Sequence, residues 1–134
     1  MADFGTAIPL DRPFDEAVET VAAALAKEGF GIISRIDLDK AFAEKLGQSF
    51  RRYAILGACN PGLAHRAATA RPDVGLLLPC DVAVEEASDG ALVRLVDAAQ
   101  MMAMGDLGET PEIAELAEDA GARLGRVAAG LRDT

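Results

Sequence analysis

The stretch from Tyr53 to Pro61 constrains the fold more than any other part of the chain. Residues 51–58 read as a strand. Tyr53, Ile55 and Cys59 fall on one face, and Ala54, Leu56 and Ala58 on the other. Both faces are apolar, which suits a central strand. The run then stops at Asn60-Pro61, a helix start with a capping side chain followed by a proline in the first turn, where its missing N–H costs nothing. Cys59 therefore stands at the joint between a central strand and a helix.

The rest of the chain alternates between the two periodicities. Residues 2–10 suit an extended edge segment. Pro13 opens a helix with Phe14, Ala17, Val18, Val21, Ala22 and Leu25 on one face, and Gly29 is its left-handed end. A strand over Gly31 to Ile36 follows. Asp37 then caps a short helix striped by Leu38, Phe42 and Leu46 and closed by Gly47. The third helix runs from Asn60-Pro61 to about Ala70. Residues 75–85 read as a long strand, with Leu76, Leu78, Cys80, Val82 and Val84 on its buried face and Leu77, Pro79, Asp81, Ala83 and Glu85 on the other. Pro79 cannot donate to a ladder, so an edge, bulge or kink is expected there. Ser88-Asp89-Gly90 is a hairpin signal that returns Ala91 to Val96 antiparallel. Residues 98–108, with Met101, Met102 and Met104, read as a connection. Thr110-Pro111 starts the last helix, whose buried stripe is Ile113, Leu116, Ala120, Leu124, Val127 and Leu131. Arg123, Arg126 and Arg132 crowd its second half, matching the helix dipole.

These alternations predict a single α+β domain over residues 1–134, with five strands and four helices. A chain of 134 residues buries roughly two-thirds of its unfolded surface, so it needs neither disulfide nor metal to fold. A net charge of −9 argues against nucleic-acid binding, which requires Lys and Arg to neutralise phosphate. Arg51-Arg52 reads as a solvated strand start and Glu85-Glu86 as a solvated hairpin rim. Asp37 and Asp39 read as helix-start residues rather than as a carboxylate pair. No apolar run approaches a membrane span, and the opening residues lack a basic segment followed by an apolar one. A cytoplasmic location with two free thiols is the expectation.

Cys59 is the sharpest candidate for chemistry. The first N–H groups of a helix are unpaired and carry partial positive charge. A thiol beside them loses its proton more easily, and the thiolate is both nucleophile and metal ligand. Asn60, as the cap, belongs to the same candidate site. Cys80, among leucines and valines, reads as a core thiol whose interest rises if Cys59 lies within reach. His65 is two helical steps from Leu63, about 200° around the axis, and so points outward. The methionines are soft thioether donors suited in principle to Cu(I), but packing is the plainer reading. No C-x-x-C, H-E-x-x-H or glycine-rich phosphate loop occurs, and no cofactor is evident.

Four segments resemble the domain-of-unknown-function-302 family: Phe14-Asp15-Glu16-Ala17, Glu28-Gly29-Phe30-Gly31, Tyr53 through Pro61, and Gly75 through Cys80. The likeness runs from about Pro13 to Leu131. The family's usual Asn after the second cysteine is Asp81 here, and its Asp-Pro after the last strand is Asp97-Ala98. The resemblance implies a compact α+β fold, with a curved antiparallel-rich sheet packed against helices, often dimeric. Two functional classes follow. One is a small soluble binding or interaction domain, homodimeric, with a small-molecule or metal ligand that the sequence does not specify. The other is a thiol site centred on Cys59, with Asn60 and Cys80, for soft-metal binding, sulfur transfer or redox chemistry.

Overall fold

The strand that the sequence places in the interior is interior. In the computed structural model, which describes residues 4–134, β3 (Tyr53–Cys59) pairs with a strand on each side. On one side lies β2 (Gly31–Asp37) and on the other β4 (Cys80–Ala87). Beyond β4 come β5 (Gly90–Val96) and then β1 (Gly5–Leu10), giving the order β1-β5-β4-β3-β2. Every pairing is antiparallel. The sheet is open, with β1 and β2 at its edges. Ser88 and Asp89 form the two-residue loop between β4 and β5, since Ala87 faces Gly90. Of the edge segment expected over residues 2–10, residues 2 and 3 lie outside the described residues.

One face of this sheet carries the helices. Ala54, Leu56 and Ala58 of β3, Val82 and Val84 of β4, Val93 and Leu95 of β5, and Ile8 and Leu10 of β1 all point to it and are buried. They meet α1 (Phe14–Ala26) and the second half of α5 (Pro111–Arg132) in the main core. Each fully enclosed leucine, such as Leu25 or Leu56, contributes roughly 1.5–3 kcal/mol. A second apolar cluster forms where α3 (Pro61–Ala70), the 3-10 turn Pro72–Leu77, the single-turn α4 (Ala98–Met101) and the start of α5 meet. It holds Ala67, Val74, Met102, Leu107, Ile113, Leu116 and Ala117. The α5 stripe expected from the sequence is buried throughout.

The opposite face of β3, with Tyr53 and Ile55, is only half-buried, because no helix lies over most of that side. The helix α2 (Leu38–Leu46) joins β2 to β3 and has no buried residue. It touches the sheet through aromatic edges, Phe42 against Phe50 at 5.2 Å between ring centres and Phe50 against Tyr53 at 6.3 Å.

Several local expectations are corrected. The strand read over residues 75–85 begins only at Cys80. Pro72–Leu77 is a 3-10 turn, Leu76 is 88% exposed, Leu78 is half-buried, and the Leu78–Pro79 peptide is cis. A continuous apolar run carries no period, so Leu76–Leu78 looks the same as a strand or as a turn against a core. From Cys80 onward the expected buried face holds, through Val82 and Val84. Asp37 sits at the start of α2 but binds Arg35 at 2.9 Å instead of capping. Asp39 accepts the Tyr53 backbone N–H at 3.1 Å. The Thr110 hydroxyl accepts from Arg71 at 3.1 Å and caps nothing. The 98–108 connection contains α4, capped by Asp97 accepting from the Gln100 N–H at 3.1 Å.

Glu85 is the clearest departure. It is buried, not solvated, because two arginines follow it in. Arg94 donates to it at 2.6 Å, and Arg51 binds its other oxygen. Arg52 likewise is no free surface charge. It lies 4.3 Å over the Phe14 ring and pairs with Asp15 at 3.1 Å.

The hydrogen bond from Arg94, with that from Arg51, holds the Glu85 carboxyl below the usual carboxylate range. A carboxylate depressed in the folded state stabilises it above the unfolded pKa, about 4.3, and loses that contribution as pH falls through the folded value. Glu85→Gln is therefore expected to cost about 1 kcal/mol at pH 7, discounted because both guanidinium partners remain about half in water. The gap to wild type should shrink by pH 3. Urea denaturation at the two pH values measures this, and a gap that does not close would exclude the ionic role.

Candidate functional site

Asn60 builds one wall of the site. As the residue before Pro61 it caps α3, its Oδ1 accepting the Leu63 N–H at 3.2 Å. Its amide also donates to the Glu28 carbonyl at 3.4 Å, beyond the end of α1. Arg123 of α5 donates to the same carbonyl at 2.9 Å, and Arg126 binds the Glu28 carboxylate at 2.9 Å. Gly29 turns the chain there at φ +83°, and a Cβ on it would lie 2.8 Å from the Asn60 amide nitrogen. Only glycine combines that backbone with that proximity. The capping role of Asn60 was legible in the sequence. The grip of Arg123 and Arg126 on Glu28 was not, since a helix dipole already accounts for basic residues there.

Pro79 forms part of the opposite wall, and Gly57 behind it makes room for it. A Cβ added to Gly57 would stand 2.2 Å from the Ser34 hydroxyl and 2.7 Å from Cγ of Pro79. Its missing side chain is what lets Pro79 lie against β3. Pro79 in turn delivers Cys80 to its register opposite Ala58, one residue from Cys59. Sequence reading assigned Gly57 no role, because a glycine inside a strand signals close approach without naming what approaches.

Between these walls lies a partly open cavity of about 40 Å³. It sits at the seam of the two apolar clusters, bounded by Phe30 and Ala58 from the main one and by Ile113 and Leu116 from the second. The side chains on its surface that carry a heteroatom are Cys59, Asn60, Cys80 and Met102. Cys59, Asn60 and Cys80, the three residues singled out in the sequence, thus converge. Cys59 is half-buried and Cys80 buried, both as free thiols. Burial pushes the Cys80 thiol up to about 11, with smaller contributions from Asp81 and Cys59. Met102 is buried and joins them, where packing was the plainer reading of the sequence. Met101 packs against the second cluster outside the cavity, Met104 is exposed, and His65 faces outward on α3 as its spacing requires.

A broader concavity of about 560 Å³ lies on the helix-free face of the sheet, lined by Tyr53, Asp81, Ala83, Arg94 and Val96 among others. It draws no residue from the cysteine segments other than Asp81 and Tyr53.

Both walls can be tested by stability. Asn60→Ala is expected to cost about 1–2 kcal/mol through the lost cap. Gly57→Ala should cost about 1–3 kcal/mol, as for other overpacked sites, because the rigid Pro79 ring cannot swing aside as a serine hydroxyl can. Denaturant midpoints report both, and a neutral Gly57→Ala would mean Pro79 is not held against β3.

A family model described as "Domain of unknown function DUF302" matches residues 6–131. Among solved structures, the chain is similar to an uncharacterized conserved DUF302 protein from Bacillus stearothermophilus. That similarity has a TM-score of 0.85 and 26% sequence identity, covering 98% of this chain and 100% of the other. No curated protein matches.

Proposed function

We propose that this chain, which belongs to the domain of unknown function DUF302 family, is a small binding domain whose ligand site is the two-thiol cavity at the seam of its core. The observation that carries this reading is that both cysteines, 21 positions apart in sequence, line one cavity. Its size sets the class of ligand. An engineered cavity of about 150 Å³ accommodates benzene, so about 40 Å³ suits a ligand of one or two heavy atoms. The half-buried Cys59 forms the mouth and the buried Cys80 the interior.

Competitive alkylation of the native protein tests the site. With a thiol pushed up to about 11, Cys80 is only about 0.1% thiolate at pH 8, and it is buried as well. Cys59 should label first by a wide margin, and Cys59→Ser should leave a slowly reacting protein. Equal labelling, or faster labelling of Cys80, would remove Cys59 from the mouth and with it this reading.

A second observation favours a homodimer. The edge strand β2 is exposed along nearly its whole length, and its outer edge is unpaired. Of the eight exposed large apolar side chains among the described residues, five fall between positions 32 and 50: Ile32, Ile33, Ile36, Leu46 and Phe50. A concentration of this kind on one margin marks an interaction surface. A second copy meets it with the same patch in a two-fold contact. Sedimentation at high micromolar concentration should give the dimer mass. Ile33→Lys, at a side chain 65% exposed, should yield a folded monomer with stability changed by no more than about 0.5 kcal/mol. A monomeric wild type would overturn this reading and leave the thiol site untouched.

A further inference from the structure

Resting on the reading of the cavity as a ligand site, we propose that its ligand is a soft monovalent cation of the copper(I) class, held by the sulfur atoms of Cys59, Cys80 and Met102. Three features select that class. The first is donor chemistry. Apart from the Asn60 amide, every heteroatom-bearing side chain on the cavity wall is a thiol or a thioether, and such ligands favour Cu(I) over hard cations. The second is space, because about 40 Å³ suits a cation stripped of its water. The third is coordination number. Cys59, Cys80 and Met102 make three sulfur donors set in an otherwise aliphatic and aromatic wall of residues such as Phe30, Leu63, Ile113 and Leu116. A zinc ion favours four ligands, so this set does not satisfy it.

The binding step involves no change of oxidation state. The Cys59 and Cys80 thiols each give up a proton to solvent, and a copper–sulfur bond forms in place of each S–H bond. The Met102 thioether donates a lone pair from the interior. The cation enters past Cys59, the most accessible of the three. The ligands come from the end of β3, the start of β4 and the residue after α4, so the cation also ties the second apolar cluster to the sheet.

The test is an anaerobic titration of the reduced full chain with Cu(I) supplied as its bicinchoninate complex. Wild type should withdraw one copper per chain, and excess Zn(II) should not displace it. Cys59→Ser and Cys80→Ser should each weaken binding by at least about tenfold, the lower end of what loss of a mere outer-shell partner costs. Met102→Leu conserves volume and so preserves the fold, yet should also weaken binding by at least about tenfold. It separates a ligand from a packing residue even if a cysteine variant fails to fold. No withdrawal of copper, displacement by zinc, or unchanged affinity in Met102→Leu would each overturn the proposal. If copper fails while Cys59 still alkylates far ahead of Cys80, the cation assignment falls and the ligand-site reading stands. If both fail, both fall.

Discussion

A single backbone carbonyl, that of Glu28, anchors much of this molecule. It accepts from Asn60 at the start of α3 and from Arg123 in the middle of α5, while its own residue leaves α1. Three helices that are distant in sequence are thereby referred to one point. A carbonyl with two lone pairs can serve two donors at once, and a buried or half-buried carbonyl left without them would be costly. The position of Cys59 follows from this arrangement. It is the residue immediately before Asn60, so whatever fixes the cap also fixes the thiol.

The interior is built as two apolar clusters rather than one, and the cavity marks where they meet. The main cluster rests on the sheet, whereas the second is formed from short elements around the start of α5. Close-packed interiors leave few voids, so a cavity bordered by four heteroatom-bearing side chains stands apart from a packing defect lined only by hydrocarbon. Leu63 packs against both clusters and spans the seam.

The fold class was legible because β3, α1 and α5 carry clean periods; the α5 stripe is buried as read, as are the helix-facing side of β3 and the α1 stripe apart from the half-buried Ala22. The candidate site was half legible. Cys59 and Asn60 betray themselves by standing at a strand-to-helix joint, and that joint is a local fact. Cys80 entered as a core thiol and only conditionally as a site residue, because its nearness to Cys59 depends on the register between β3 and β4, which no local pattern encodes. Met102 was hidden for the same reason, in a stretch whose glycines and methionines resemble a loop. Leu76 to Leu78 misled because hydrophobicity without periodicity does not distinguish a strand from a tight turn. Glu85 misled because its two arginines reach it from elsewhere, Arg94 from β5 and Arg51 from the segment before β3. Burial of an acid becomes visible only once its partners are placed.

The pairing of β1 with β5 joins residues 5–10 to residues 91–96. On a ribosome the first strand is therefore made long before its only partner exists. It must wait unpaired until nearly the whole sheet has been synthesised, while β4 and β5 zip together through a two-residue loop as soon as they emerge. Closing so long a loop carries an entropic cost that only the final packing of Ile8 and Leu10 offsets. The N-terminal strand is thus the last strand to join the sheet, and α5, which follows β5 in the chain, then covers it.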